Sequence, residues 1–511
     1  MVHTPRRRAV EDSLYGYDTR KQAYMKKAYF NFLILLSVTT QSFAQTQDKP
    51  NILFILVDDW GWTDLSSAGS KYYETPNIDR LRKEGMWFSQ AYSVGPNCAP
   101  SRASLMTGKY TPRHGIFTVG NADRGNSVDR KLIPIENNTG LNPSFVTIAE
   151  ELKNAGYSTG LIGKWQLGGK GKGADAHAQG FDHVIGGTGG TSAYFYPYNK
   201  EGKASPHEGI TSGPEGEYLT DRLTDEAVKF LDTYKQKPFF LYLSYFAVHT
   251  PIEAKADIVA KYKSKTGDAN HHNPVYAAMI QSADEGVGRV LKQLDALNLT
   301  ENTLVVFFSD NGGMGAVTSQ TPLRGSKGML YEGGVRVPLI VKWPGKTKAG
   351  SQTDTPVIGV DFYPTLLEVA NIQKPLNAGV DGQSFVPLLL QKSAQQRDIF
   401  WHFPAYLEAY KGDKRNKDAF RTRPVSTIRS GDFKLHQFYE DGHVELYNIR
   451  ADIGETKDLS KSDPAKVKEL KARLEAWKQQ TNAPIPTKLN PEYGVSGKSS
   501  AAPAPAAAAE E

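Results

Sequence analysis

The sequence predicts an α/β protein in which a large, mainly parallel sheet flanked by helices is followed by a smaller C-terminal domain built on an antiparallel sheet. Three observations predict it. The apolar runs at 51–57, 238–246 and 303–309 read as strands buried on both faces, the pattern of a parallel sheet. Helical patterns separate these runs, so strand and helix alternate. Beyond about Arg397 the pattern changes to short strands with turns centred on Gly431 and Gly442.

Taken in order, the chain first shows segments set apart from the fold. Residues 1–24 precede a natural-looking start at Met25 and read as a misassigned or non-native leader. Residues 25–44 carry the basic Lys26-Lys27, an apolar stretch from Phe30 to Val38 and the small residues before Gln45. That is the form of a secretory signal peptide, too short to span a bilayer. With no cysteine after it, a lipoprotein anchor is not expected. The expected location is periplasmic or extracellular. Residues 45–396 form the large domain, 397–485 the C-terminal α+β domain, and 486–511 a Ser-, Ala- and Pro-rich tail expected to be disordered.

The formal charge of +6 shrinks once the leader and signal segment are set aside. Those 44 residues hold seven of the 61 Lys+Arg and three of the 55 Asp+Glu, leaving 54 against 52. Such a balance gives no reason to expect a nucleic acid or other polyanion as partner, so any anion site must be local.

Strand 51–57 runs straight into Asp58-Asp59. Open α/β sheets place ligands at the carboxyl ends of their strands. Adjacent carboxylates there repel unless a cation lies between them, and a hard divalent cation suits oxygen ligands. Thr75-Pro76 opens a helix closed by Gly85, and a short strand over 88–92 follows. A helix over 145–155 and a strand over 157–163 lead to Gly163-Lys164-Trp165-Gln166-Leu167-Gly168. The glycine-rich stretches at 168–171 and 186–190 lack the spacing of phosphate-binding loops and read as loops. The aromatic stretch 194–198 suits either sugar stacking or loop packing.

A helix over 223–234 precedes strand 238–246, which ends near His249-Thr250-Pro251. A long amphipathic helix over 274–297 comes next. Strand 303–309 then runs into Asp310-Asn311, placed like Asp58-Asp59, and the two pairs make a coherent site for one Ca²⁺ or similar ion. No matching array of histidines points to zinc. A strand over 337–343 and a helix over 361–370 complete the large domain. Strands over 425–429, 432–438 and 444–447 and a helix over 464–480 make up the smaller one.

The only cysteine of the 511 residues, Cys98, lies in Cys98-Ala99-Pro100-Ser101-Arg102, followed by Leu105-Met106-Thr107-Gly108. A lone cysteine makes no intramolecular disulfide. Its place at a predicted helix N-terminus beside Arg102 favours an anion. This stretch resembles the signature of the type I sulfatases, and further blocks follow in that family's order over nearly the whole mature chain. The resemblance implies an alkaline-phosphatase-like sandwich fold and hydrolysis of sulfate esters. It also implies that a maturation enzyme oxidises Cys98 to Cα-formylglycine, whose hydrated aldehyde is the nucleophile. One hydroxyl attacks sulfur, the second then loses its proton, sulfate leaves and the aldehyde returns, which is covalent catalysis in two steps.

The resemblance assigns roles residue by residue. Asp58, Asp59, Asp310, Asn311 and an oxygen of modified Cys98 hold Ca²⁺. Arg102, Lys164 and Lys327 neutralise the sulfonate oxygens. His249, with Lys327, protonates the departing alcohol. Gln166 stands where the family has histidine, and an amide takes up no proton near neutral pH. Arg324 is expected to reach the sulfate or the substrate. His402 and Arg429, with Trp401 and Arg423, are expected either to line the cleft and set substrate choice or to pack the two domains together. The substrate class implied is a sulfated carbohydrate. Two rivals remain: a phosphodiesterase or phosphonate hydrolase of the same superfamily, and a catalytically silent binder of sulfated glycans.

Overall fold

In the computed structural model, the residues described are 49–169, 173–201, 203–373, 379–410 and 418–495. The expected leader and signal peptide therefore lie outside the described residues, as does the tail from 496 onward.

Eight strands form the main sheet: β1 (Asn51–Val57), β2 (Met86–Phe88), β4 (Ser158–Gly163), β5 (His183–Gly186), β6 (Phe239–Ser244), β7 (Thr303–Ser309), β9 (Leu339–Lys342) and β10 (Ser351–Thr353). Their order is β10-β2-β9-β7-β1-β6-β4-β5. Every pairing is parallel except those of β9 with β2 and β7. A parallel sheet needs both faces covered, and the side chains of β1 show how. Ile52, Phe54 and Leu56 enter one hydrophobic core, and Leu53, Ile55 and Val57 enter the other. The helices Cys98–Thr107, Ile148–Asn154 and Phe362–Val369 cover the first face; Pro76–Glu84, Leu219–Tyr234 and Pro274–Ala296 cover the second.

The expected strand over 88–92 is two strands: β2 joins the main sheet, while β3 (Ala91–Tyr92) joins a three-stranded sheet with β8 (Arg336–Val337) and β11 (Val357–Ile358). The run 337–343 is likewise divided, with Pro338 between β8 and β9. The expected helix over 145–155 begins only at Ile148. Thr147 accepts from Glu150 N, and the Glu150 carboxylate accepts from Thr147 N, a reciprocal cap that fixes the start. Thr75 does not cap its helix through its side chain. The carboxylate of Asp284, on the long helix, accepts from Asn77 N and Ile78 N instead.

Four antiparallel strands, β12 (Ile399–Phe403), β15 (Val425–Ser430), β16 (Phe433–Phe438) and β17 (Val444–Asn448), form the C-terminal sheet. A two-stranded ribbon of β13 (Leu407–Glu408) and β14 (Phe420–Thr422) accompanies it. The helix Pro464–Thr481 buries Leu470, Leu474 and Trp477 against the sheet, in a third core shared with Tyr92, Val335 and Ile358. Residues 486–495, read from composition as the start of a disordered tail, are tied down. Ile133 N donates to Lys488 O and Asn490 N to Lys131 O, both at 2.9 Å. Backbone pairing of this kind is invisible in a low-complexity composition.

Candidate active site

Register brings the site together. β1 lies between β7 and β6, with Val57 opposite Ser309 and Leu56 opposite Ser244, and β4 follows with Gly163 opposite Ser244. The residues just past these strand ends, Asp58-Asp59, Asp310-Asn311, His249 and Lys164 to Gln166, therefore gather along one edge of the sheet. Gly163 makes the turn into Lys164 possible: at φ +109° a side chain would lie 1.8 Å from Ser244 O. Without one, Lys164 N donates to that oxygen at 2.7 Å. Asp59 and Gln166 adopt left-handed backbone at φ +60° and +62°, a conformation that costs free energy and concentrates at functional sites.

Cys98 is the first residue of the helix Cys98–Thr107, whose residues are all buried, and Gly108 closes it at φ +66°. Its Sγ lies 3.2 Å from Asp58 Oδ1 and 3.9 Å from Asp59 Oδ1. Burial, then the Asp58 charge, pushes the thiol pKa well up. The unmodified residue is therefore a neutral thiol and a poor nucleophile at neutral pH.

Arg102, one turn on, donates from Nε to Asp310 Oδ2 at 2.9 Å and from Nη1 to Ser244 Oγ at 2.6 Å. Lys164 Nζ donates to Asp58 Oδ2 at 2.6 Å, and Lys327 Nζ to Asp59 Oδ2 at 2.9 Å. Three carboxylates thus face three cations in a buried cluster. Burial raises the pKa of Asp58, but Lys164, His249, Arg102 and Lys327 together outweigh it and hold the carboxyl well below the usual range. Asp310 moves the other way, to about 7, because burial and the Asp58 charge outweigh Arg102. His249 Nε2 lies 3.8 Å from Asp59 Oδ2, and its Nδ1 lies 2.8 Å from Thr250 O. Burial and the Lys327 charge lower its pKa to about 4, so the ring is neutral at pH 7. A neutral ring donates to that carbonyl from Nδ1 and leaves the Nε2 lone pair facing the site.

The residues fit a bound cation. Ligand atoms of Asp58, Asp59, Cys98 and His249 all lie within 4.8 Å of one another. Asn311 is fully buried, and its Oδ1 has no hydrogen-bond partner among the described residues while its Nδ2 donates to Asp59 Oδ1 at 2.8 Å. An unsatisfied buried oxygen beside carboxylates is what a hard cation satisfies.

Seven predicted residues, Cys98, Arg102, Lys164, Gln166, His249, Asp310 and Lys327, converge with Asp58, Asp59 and Asn311. Three predicted substrate contacts do not. Arg324 stacks on the Tyr331 ring at 3.8 Å and donates to Tyr447 Oη and Glu455 O. His402 bonds Ser426 Oγ through Nδ1 and Pro484 O through Nε2, buried inside the C-terminal part of the chain. Arg429 donates to Tyr92 Oη and to Gln90 Oε1. These contacts are made on or against the C-terminal sheet, where Ser426, Tyr447 and Arg429 itself lie. Arg423 pairs with Asp418 and Glu440. Tyr194 is packing as well, its hydroxyl donating to Phe246 O and His249 O.

The pocket over Cys98 has walls the sequence did not indicate: Asn97, Arg124, Met314, Tyr410 and Arg421. Tyr410 donates to Lys327 O at 2.7 Å and carries the Arg421 guanidinium over its ring at 4.2 Å, while Arg124 pairs with Glu408. These residues come from loops and from the β13–β14 ribbon, where no short motif announces them.

The sulfatase family model matches residues 50–372, well over half of the chain. The chain belongs to the sulfatase family. A second family model, the C-terminal region of N-sulphoglucosamine sulphohydrolase, matches residues 326–480 of this sulfatase. A sulfatase of Formosa agariphila is 36% identical, covering 90% of this chain and 94% of its own. N-acetylgalactosamine-6-sulfatase of Mus musculus is 33% identical, with 72% of each chain covered. The solved structure of Ps i-CgsB in complex with k-i-k-neocarrahexaose is 32% identical, covers 87% of this chain and 95% of its own, and superposes with a TM-score of 0.72. The fold is alkaline-phosphatase-like, and this sulfatase is a sulfuric ester hydrolase.

Proposed function

We propose that this enzyme is exported to the periplasm or beyond, and that it hydrolyses sulfate esters of a sulfated carbohydrate with a formylglycine at residue 98 and one Ca²⁺. The observation that carries the reading is the convergence of Arg102, Lys164, Lys327 and His249 on the carboxylates beside Cys98. Asp58, Asp59, Asp310 and Asn311 would hold the cation. When formed and bound, the oxidised residue supplies a geminal-diol oxygen and the cation polarises it.

The chain's own residues do the rest. A divalent cation would add two positive charges to the cluster of Asp58, Asp59, Asp310, Arg102, Lys164 and Lys327, and the monoanionic sulfate ester would offset one of them. Lys164 and Lys327, now on carboxylates, can then turn their N–H groups to the sulfonate oxygens, with Arg102 braced by Asp310 and Ser244. As the ester S–O bond breaks, the departing alcohol takes a proton from Lys327, which is kept protonated beside Asp59, while neutral His249 offers its Nε2 lone pair as a hydrogen-bond acceptor. Sulfated carbohydrate is favoured by the relatives, whose names specify N-acetylgalactosamine-6-sulfatase and a complex with k-i-k-neocarrahexaose.

The test is sulfate release from a panel of defined sulfated mono- and oligosaccharides, using enzyme whose residue 98 is shown by peptide mass spectrometry to be the aldehyde or its hydrate. Release from a saccharide and none from the matching aryl phosphate supports the reading. Full activity from enzyme carrying only unmodified Cys98 overturns the nucleophile, and preferred turnover of the phosphate ester overturns the substrate class.

A further inference from the structure

Asp58 and Asp59 are neighbours in sequence, yet the fold holds their backbones in different ways. Asp58 continues the sheet: its N donates to Ala247 O at 3.0 Å, and its O accepts from Val248 N at 2.7 Å. Asp59 leaves the sheet in left-handed backbone, at φ +60°. Among the described residues, side chains hold it there. Asp59 N donates to Asp310 Oδ1 at 3.3 Å, and Asp59 O accepts from the Tyr276 hydroxyl at 3.3 Å. Tyr276 lies 217 residues further along the chain, on the long helix Pro274–Ala296.

We infer that Tyr276, anchored by Asp64, is a positioning residue: it holds the Asp59 turn in the conformation that presents its carboxylate to a cation. The inference rests on the proposal that Asp58, Asp59, Asp310 and Asn311 hold Ca²⁺.

The geometry supports it first. The Tyr276 hydroxyl donates to Asp64 Oδ2 at 2.7 Å, and the same oxygen accepts from Gly61 N at 3.0 Å. Asp64 N in turn donates to Gly61 O at 3.1 Å. The hydroxyl therefore closes a ring of contacts around residues 59–64. Asp64 is itself fixed: it is fully buried, and its Oδ1 accepts from Thr318 Oγ1 at 2.8 Å. Tyr276 is fixed as well. It stands in the first turn of its helix, where Asn273 Oδ1 accepts from Val275 N and Tyr276 N.

Energetics supports it second. Left-handed backbone at a residue other than glycine costs free energy and persists only where the surroundings over-determine it. Adjacent carboxylates also repel before a cation arrives. Lys327 now holds Asp59 Oδ2, but it gives up that bond when it turns to a sulfonate oxygen. The contact through Tyr276 uses only the backbone carbonyl of Asp59, so it stays while both carboxylate oxygens change partners. Contacts that orient a ligand from behind in this way set metal affinity.

The test compares the parent with Tyr276→Phe and Tyr72→Phe. Tyr276→Phe removes the hydroxyl and keeps the ring, which packs edge-on to Tyr73 at 5.6 Å. Tyr72→Phe removes a hydroxyl from the same core, one that donates to Tyr262 O at 2.9 Å, and so reports a merely structural loss. Near-UV circular dichroism checks that all three are folded. Ca²⁺ is titrated by calorimetry into each metal-stripped enzyme, and hydrogen exchange over residues 58–64 is followed by mass spectrometry. Tyr276→Phe should bind Ca²⁺ ~10- to 100-fold more weakly. Its 58–64 segment should exchange about 3- to 10-fold faster, the factor one hydrogen bond is worth. Tyr72→Phe should match the parent in both. Parental Ca²⁺ affinity in Tyr276→Phe, or an equal loss in Tyr72→Phe, overturns the inference and leaves the calcium reading intact. Absence of Ca²⁺ binding by the parent overturns the calcium reading. Exchange over 58–64 then decides the role of Tyr276: faster exchange in Tyr276→Phe alone supports it, and unchanged exchange overturns it.

Discussion

Lys434 Nζ lies 2.9 Å from Glu332 Oε1, with both side chains fully buried. The pair joins β16 of the C-terminal sheet to the short helix Glu332–Val335 that leads into β8. It is part of a network: Lys434 also reaches Glu455 Oε1 at 3.2 Å, Arg336 reaches Glu332 at 3.2 Å, and His436 Nε2 lies 3.2 Å from Glu455. Breaking a buried pair by removing one partner leaves an uncompensated charge.

Lys434→Met is therefore expected to destabilise the protein by about 3–5 kcal/mol. Adding Glu332→Gln should restore part of that, because it removes one of the stranded carboxylates. Urea unfolding of the two single variants and the double variant measures the coupling. Strictly additive losses would mean that the pair contributes no interaction of its own.

Arg102→Lys keeps a charge but loses the fork that grips Asp310 and Ser244 together. A fall in kcat of about 10²–10³-fold is expected, the scale of one lost preorganised donor, with the fold retained. Steady-state kinetics beside circular dichroism checks both halves of this statement.

We propose that Gln166 positions the diol without exchanging protons, because an amide takes up none near neutral pH. Gln166→His should be tolerated and can speed sulfate expulsion, whereas Gln166→Ala should cost about 10- to 100-fold in kcat, or ~1.4–2.7 kcal/mol. The comparison requires a confirmed substrate and fully converted residue 98. A Gln166→Ala enzyme that matches the parent would make the residue a bystander. A parent inactive on every sulfated saccharide alongside an active Gln166→His enzyme would favour the silent glycan binder.

Chelation of the purified enzyme should lower its activity, and Ca²⁺ should restore it, because Asp58, Asp59 and Asp310 with Asn311 form an oxygen-rich set whose amide oxygen lacks a partner. Elemental analysis should find one calcium per chain. Two zinc ions per chain would instead promote the phosphatase-like rival.

Two buried histidines set a pH limit on stability. Burial lowers the pKa of both His114 and His402 to about 3, against about 6.5 in an unfolded chain. As pH falls below about 6.5, the unfolded state takes up protons that the folded state refuses. The stabilisation is thus complete above that pH and declines toward pH 3, by about 1.4 kcal/mol per pH unit for each histidine. Urea midpoints at pH 7.5 and 5.0 should show the decline, and His402→Gln should make it shallower. An unchanged slope in the variant would assign the acid sensitivity to other groups.

The sequence by itself determined the layered α/β fold, because strands 51–57 and 303–309 are apolar on both faces and match their observed bounds to the residue. It also marked the polar groups that gather there: Asp58-Asp59, Lys164 and Asp310-Asn311 just past strand ends, and Cys98 with Arg102 on one helix, sit in contiguous motifs whose spacing survives folding. Only the tertiary structure decided which remote groups share the site. Arg324, His402 and Arg429 are as polar in sequence as any cleft residue, yet tertiary partners engage all three. Arg124, Tyr410 and Arg421 lie in no motif and meet at the pocket through tertiary contacts: Tyr410 donates to Lys327 O, Arg421 stacks on Tyr410, and Arg124 pairs with Glu408 of β13. Local patterns record a residue's own burial and backbone; they do not record which distant loop closes over it, since that depends on packing between segments far apart in the chain.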